Sequence, residues 1–460
     1  MTDLKDIKKI QPGPLVEEIL KSDSGNVPDA LLDESYEFLG NEDIPFDRYT
    51  SKDFFEKEME SMWCKTWQWA CRLEHIPNVG DYIVYEIGPY SVFVVRTSAN
   101  EIKAYNNSCL HRGTKLKHPD SMGCSDEIKC PYHGWTWNLD GTLKYIPESW
   151  DFSYIVEEGY KLIEVRADIW GGFVFINFDK DAESLEKYLG VLSEHFKNWP
   201  LDERYIALHI QKELPCNWKA ALEAFIENYH TQTTHPQIIW SGGVGDSNTK
   251  YDVFDDHVSR FHAPLGVASP NIKEKLTEQE ILDSMLVGDR SNVDGGVKVP
   301  EGSTARKVMA ETLRSNIGKE YNVDLSKYSD SEVIDTLEYH LFPNMFLFPG
   351  LSLPMIYRFR PIGNDPDNTL FDLLFLRPIP IGKPTPEPAE PVRLSPEESY
   401  SSVEGIDPDF GSLYDQDTQN LRMQQEGFYA AQKKGQTLAT YQEIRVRHLH
   451  KIIDKYIDRE

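Results

Sequence analysis

Cys109-Leu110-His111-Arg112-Gly113 and Cys130-Pro131-Tyr132-His133-Gly134-Trp135 are the stretches from which the rest of the chain is read. They spell C-x-H, a gap of eighteen residues, then C-x2-H. Two thiolates and two imidazoles so spaced can hold a [2Fe–2S] cluster of the Rieske type, with the cysteines on one iron and the histidines on the other. Two Cys and two His are also a common zinc set; the tight C-x-H spacing, the flanking glycines and the Tyr-His-Gly-Trp context favour the cluster. Such a cluster moves single electrons and does no substrate chemistry. The chain therefore needs a second site, or a partner, where those electrons are used.

Working outward, residues 80–105 carry short, β-branched, alternating runs punctuated by Gly and Asn, the pattern of antiparallel sheet from which both loops emerge. Asp140-Gly141 reads as a hairpin turn, and Gly171–Asn177 as another strand. Residues 51–63 have helical spacing, with Phe54, Phe55, Met59 and Met62 on one side. Helical spacing returns over Trp218–His230. Two further helices are predicted near 277–287 and 303–317, strands over 338–378, a Pro-rich loop over 378–391, and helices near 408–433 and 438–458. Residues 1–45 read as a polar arm with one short helix near Leu15–Leu20, and 241–330, rich in Gly, Ser, Asp and Lys, as a long excursion or lid.

A 460-residue chain is long for one core, so two domains are expected. Its net charge of -27 argues against nucleic acid or an anionic membrane as partner. Six cysteines in a chain of this size make no disulfide scaffold, and Cys64, Cys71, Cys124 and Cys216 are read as thiols without a ligand role. No apolar run is long enough for a signal peptide or membrane span, so a cytoplasmic setting is expected.

The second informative block is Glu227-Asn228-Tyr229-His230, four residues, then His235-Pro236. Two imidazoles at this spacing can meet on one metal. With a carboxylate they form the facial triad of non-haem Fe(II) oxygenases, which leaves positions open for dioxygen and substrate. The third ligand must come from elsewhere in the chain. His118, His257 and His262 have no partner spacing and are read as structural; Trp135 and Trp137 are read as shielding the cluster.

Taken with the run Asn217–Pro236 (NWKAALEAFIENYHTQTTHP), these motifs resemble those of the large (α) subunit of Rieske non-haem iron ring-hydroxylating oxygenases. The resemblance covers most of the chain and is weakest over the first 45 residues and 241–330. It implies an α+β fold: a Rieske-type antiparallel β domain (46–165) nested in a helix-grip (START-like) catalytic domain with a large antiparallel sheet (166–460, with 1–45 as its arm). It implies a [2Fe–2S] cluster on Cys109, His111, Cys130 and His133, and mononuclear Fe(II) on His230, His235 and a late Asp. Asp417, three residues before Asn420, matches the family spacing; Asp415 is the alternative. Glu227 takes the place of an acidic residue that bridges a Rieske His of one subunit, His111 ahead of His133, to the iron His of the next. Aromatic-ring dioxygenases mostly carry Asp there, while Glu is typical of other members such as carnitine oxygenases.

The resemblance further implies O2 as co-substrate, NAD(P)H electrons arriving through a separate reductase and in some systems a ferredoxin, and a homotrimer (α3) or α3β3 assembly. Residues one turn from the ligands, namely Ala224, Phe225, Ile226, Leu413 and Leu421, are expected to wall the pocket. Apolar walls suggest an apolar, aromatic or polycyclic substrate for dihydroxylation or monohydroxylation. A Rieske monooxygenase or demethylase acting on a quaternary-ammonium substrate is the rival, marked by an aromatic cage rather than an aliphatic slot. An electron carrier without mononuclear iron is the rival of another class.

Overall fold

The computed structural model describes residues 15–155, 157–240, 248–269, 272, 275–285 and 296–458. Two antiparallel sheets organise them. The first has seven strands, in the order Gln68–Arg72, Phe173–Asn177, Glu164–Trp170, Glu101–Asn106, Tyr90–Ser98, Asp81–Ile87 and Met122–Cys124. A small three-stranded sheet (Ile128–Lys129, Thr136–Trp137, Leu143–Tyr145) stands beside it and carries the second Cys/His loop. The Asp140-Gly141 turn forms as predicted, with Gly141 at φ 83°, a backbone conformation that favours glycine.

The second sheet has eight strands, in the order Lys250–Val253, Val258–Ala263, Thr336–Leu341, Met345–Leu347, Met355–Pro361, Thr369–Pro378, Arg204–Leu214 and Val392–Leu394. Only its last pair is parallel. Because strand side chains alternate, this sheet feeds two cores. Phe359, Phe371 and Leu373 pack with Trp218, Leu222, Tyr414 and Leu449 from the helices laid over one face, whereas Leu374 and Leu376 pack with Trp69, Phe173 and Trp199 on the other. This is the helix-covered large sheet that the resemblance implies.

The structure departs from the sequence reading in three places. Residues 46–67 pack on the catalytic helices as well as on the cluster sheet: Lys219 pairs with Glu58 at 2.8 Å, both fully buried, the Trp63 and Trp218 rings meet edge-on at 5.0 Å, and Asn177 Nδ2 of the cluster sheet donates to Lys65 O at 3.2 Å. The cluster sheet in turn runs past 165 to Asn177. The excursion 241–330 is not all lid, for Lys250–Val253 and Val258–Ala263 are members of the eight-stranded sheet. Their polar composition hides a two-residue alternation of Tyr251, Val253, Phe261 and Ala263, all buried. The helices Glu278–Met285 and Ala305–Tyr321 do form, with a core of their own; part of the predicted lid (241–247, 270–271, 273–274 and 286–295) lies outside the described residues.

Pro408–Ala430, the 23-residue helix carrying Asp417, starts cleanly. The Asp407 carboxylate accepts from Phe410 N at 2.9 Å and Pro408 occupies the first turn. Gly411 lets it lie against residues 400–401; a methyl there would stand 2.8 Å from Ser401 Cα and N. Backbone cannot swing aside as a flexible side chain can. We therefore expect Gly411→Ala to destabilise the protein by about 1–3 kcal/mol and to loosen metal retention, read from a thermal melt and iron content; an unchanged melt would contradict the close approach.

Candidate functional site

The two cluster loops are built alike. Cys109 N donates to Thr114 O (2.9 Å) and Gly113 N to Cys109 O (2.9 Å); Cys130 N donates to Trp135 O (2.8 Å) and Gly134 N to Cys130 O (3.1 Å). Gly113 and Gly134 close these turns at φ 77° and 72°. Cys109 and Cys130 are buried, and the rings of His111 and His133 lie 4.6 Å apart at 73°. Trp135 stacks parallel on His111 at 5.0 Å, while Trp137, fully buried, donates to Tyr160 O. Burial pushes the Cys109 thiol up to about 11 and pulls the His111 imidazole down, the neighbouring His133 adding to it.

These residues fit a two-iron cluster better than one zinc ion. His111 Nδ1 is buried without a hydrogen-bond partner, as a ligand atom awaiting a metal would be. Tetrahedral zinc needs donor atoms about 3.3–3.8 Å apart. Among the described residues only one group gathers three or more such atoms within 4.8 Å, and it is not this one.

That group is His230, His235 and Asp417. Asp417 Oδ1 lies 2.7 Å from His235 Nε2 and 3.5 Å from His230 Nε2. Asp415 faces elsewhere, accepting from Tyr400 N at 3.0 Å and from Ser399. The expected helix over Trp218–His230 stops at Glu223. Beyond it, side-chain bonds replace the helical ladder: Arg445 Nη1 donates to Ile226 O (3.2 Å), and Glu227 Oε2 accepts from His230 N (3.1 Å). The turn this creates places His230 before, and His235 after, the short helix Thr231–Thr234. Both imidazoles thereby face the Asp417 helix.

Each histidine is held from behind. His230 Nδ1 meets Glu227 Oε1 at 2.6 Å and His235 Nδ1 meets Gln416 Oε1 at 2.7 Å. An acceptor at Nδ1 fixes the tautomer with Nε2 free for a metal. Gln416 also accepts from Gln237 Nε2 at 2.9 Å. The sequence reading missed Gln416, whose only signal is its place beside Asp417. We expect Gln416→Leu to weaken iron retention by about 10–100-fold, measured by chelator competition; unchanged retention would remove Gln416 from the site.

Electrostatics favour a cation here. Burial pulls the His230 pKa down, but Glu227 and Asp417 outweigh it and hold the ring up at about 10. Burial likewise opposes ionisation of Asp417, and the two imidazoles reverse this and keep its carboxyl below the usual range. The protons such a cluster retains are those a divalent metal displaces on binding.

Two cavities flank the trio. One, ≈130 Å³, is walled by Phe225, Phe261, Phe348, Tyr357, Phe410 and Tyr414, with Ala224, Met355 and Leu413, and carries the carboxylates of Glu227, Glu338 and Asp417. The Tyr357 and Tyr414 hydroxyls bond at 2.6 Å. Glu338 pairs with Arg445 at 2.8 Å, and burial pushes its carboxyl up to about 8 against that pull. The other cavity, ≈230 Å³, is mixed, lined by Glu223, Glu227, Gln424, Gln436 and Glu443 together with Leu421, Leu438 and Val446. Of the expected wall residues, Ala224, Phe225 and Leu413 line the first cavity and Leu421 the second. Ile226 lines neither: it is fully buried in the core. His262 is tied to Asp335 (2.7 Å) and His257 stacks on Tyr188 (3.9 Å), away from the trio.

A family model described as the Rieske [2Fe-2S] domain matches residues 66–154, and one described as the ring hydroxylating alpha subunit (catalytic domain) matches 193–459. The carnitine monooxygenase oxygenase subunit of Escherichia coli (strain K12) is 31% identical over 215 residues, 45% of this chain and 57% of that one. The biphenyl 2,3-dioxygenase subunit alpha of Rhodococcus jostii (strain RHA1) is 33% identical over 193 residues, 40% and 42% of the two chains. The matches thus span about half the length of these relatives. Among solved structures, a quaternary ammonium Rieske monooxygenase in complex with L-carnitine superposes with a TM-score of 0.61 at 17% identity, covering 90% of this chain and 95% of that one. Naphthalene 1,2-dioxygenase with indole bound gives 0.63 at 16%, covering 92% and 93%. At these identities the superpositions speak for the fold alone.

Proposed function

The chain belongs to the ring-hydroxylating alpha-subunit family, and from that premise we propose that it is the terminal oxygenase of a Rieske non-haem iron system. The observation that carries the proposal is the presence in one chain of paired Cys/His loops and of a two-His, one-Asp trio whose distal nitrogens both have acceptors. When bound, a [2Fe–2S] cluster at the first site supplies single electrons and Fe(II) at the second supplies O2 activation beside the substrate. Electrons originate from NAD(P)H and arrive through a separate reductase, with or without a ferredoxin.

The chain's own residues do the positioning. Cys109, His111, Cys130 and His133 hold the cluster; His230, His235 and Asp417 hold the iron. Glu227 orients His230 and links it to His111 of a neighbouring subunit in a ring of three. The aromatic cavity wall excludes water and holds the substrate.

For the substrate class, the cavity lining favours an organic cation such as a quaternary ammonium. Six aromatic rings and the carboxylates of Glu227, Glu338 and Asp417 surround a space without a lysine or arginine on its wall, and ring faces attract cations most strongly when desolvated. The carnitine and glycine betaine monooxygenase subunits among the relatives act on such compounds by name. An apolar ring is the second reading, supported by the same aromatic faces and by the dioxygenase relatives.

Two measurements test this. Iron analysis should give about three irons per chain; about two would leave only an electron carrier. In single turnovers of chemically reduced protein with O2, a trimethylammonium compound should be oxidised and its neutral tert-butyl isostere should not. Oxidation of biphenyl or naphthalene in place of the cation would select the second reading.

A further inference from the structure

A cavity of ≈250 Å³ lies between the two sheets, away from both metal sites. One wall comes from the cluster sheet (Trp69, Ile83, Tyr85) and the other from the catalytic sheet (His209, Gln211, Arg358, Arg360), with residues 388–391 beside it. The strand Met355–Pro361 joins it to the iron site. Tyr357 lines the iron-side cavity while Arg358, the next residue, lines this one, as strand alternation requires.

The buried charges do not balance. Asp372, fully buried, is engaged first by other partners: Oδ1 accepts from His209 Nε2 (2.9 Å) and Gln211 Nε2 (2.6 Å), and Oδ2 from Arg358 Nε (2.8 Å). Arg358 is further spent on Trp69 O (3.0 Å) and on the Trp69 ring face (3.8 Å). Arg360 is left over. It is 8% exposed, its Nη1 donates to the neutral Glu86 carbonyl (2.6 Å), and its Nε, 3.8 Å from Asp372 Oδ2, has no hydrogen-bond partner. His209 Nδ1 is likewise buried without a partner. Two buried guanidiniums thus face one carboxylate. The other carboxylates on the wall, Asp120 and Glu390, are exposed, as is Arg393. A buried cation is stabilised only when paired.

We propose that this interdomain cavity binds a small organic carboxylate, its anionic end on Arg360 and Arg393 and its apolar body against Trp69, Ile83, Tyr85 and Leu374. The mixed lining selects the class: inorganic anions would satisfy the guanidiniums but leave the apolar wall empty, and neutral rings would do the reverse. The inference is independent of the oxygenase reading, since none of these residues touches either metal site. A ligand held between the sheets would also fix the cluster domain against the catalytic domain.

The test uses the full-length protein with benzoate, the isosteric neutral benzamide, and inorganic phosphate, followed by calorimetry and thermal shift. Benzoate is expected to bind saturably and raise the melting temperature, and benzamide and phosphate to bind at least about tenfold more weakly. Arg360→Gln should abolish the benzoate response without changing iron content. Ala389→Trp, which fills the cavity and removes no charge, should do the same if Arg360→Gln fails to fold. Equal binding of benzamide would overturn the anionic end, equal binding of phosphate the organic body. A benzoate response surviving both substitutions would place the ligand elsewhere and overturn the site.

Discussion

Replacing His235 by Ala is expected to abolish turnover and lower iron from about three to about two per chain, while leaving the visible spectrum of the cluster unchanged. His235 is the most enclosed of the imidazoles at this site: 5% exposed, 2.7 Å from Asp417 and pinned behind by Gln416. Without it the iron keeps one imidazole and one carboxylate, too few to outcompete water and chelators. The cluster loops belong to a different sheet and share no hydrogen bond with this residue among those described. Iron and acid-labile sulfide analysis with a visible spectrum separates the two sites. Turnover that survived would remove His235 from the ligand set. Asp417→Asn should behave in the same way, whereas Asp415→Asn should keep its iron, since Asp415 is committed to Tyr400 and Ser399.

The second large effect is expected from Glu227→Gln. The amide oxygen can still accept from His230 Nδ1, so iron should remain bound. What is lost is a charge 2.6 Å from that ring and the ability to accept bonds from imidazoles on both sides. Outer partners of metal-bound histidines typically carry 10–100-fold in activity; one that also carries the subunit-to-subunit link should reach at least the upper end, about 100-fold. The discriminating measurement is a single turnover. Chemical reduction of the cluster should proceed at its normal rate, and its reoxidation in the presence of substrate and O2 should slow. Normal reoxidation with slow product release would refute the bridging role.

Legibility from sequence followed the locality of each feature. The cluster loops are contiguous, and their chemistry needs Cys and His at fixed short offsets, so Cys109, His111, Cys130 and His133 could be named outright. His230 and His235 were legible for the same reason. Asp417 was reached only through resemblance, because nothing in its own helix separates it from Asp415; what separates them is the side of the helix that meets His235. Gln416 has no signal beyond its place beside Asp417, and an amide beside an aspartate is ordinary until an imidazole 181 residues away is seen to use it. The helix over Trp218–His230 was overextended because Leu222, Phe225 and Ile226 keep helical spacing. Arg445, from the last helix, takes the Ile226 carbonyl, and no local pattern announces that. The aromatic wall was invisible because Tyr357, Phe348 and Tyr414 at strand and helix spacing read as core, which in part they are.

The separation of the ligands along the chain has a consequence for synthesis. The four cluster residues lie within Cys109–His133, inside a sheet that is complete once Asn177 has emerged. The other centre waits for Asp417, and its support waits longer still, for Arg445 on the final helix. A nascent chain would therefore hold all four Cys/His residues of the first site while the second still lacked its aspartate. This order of emergence would let the cluster site be filled before the iron site. An intermediate stalled before the final helix would accept electrons with nowhere to send them.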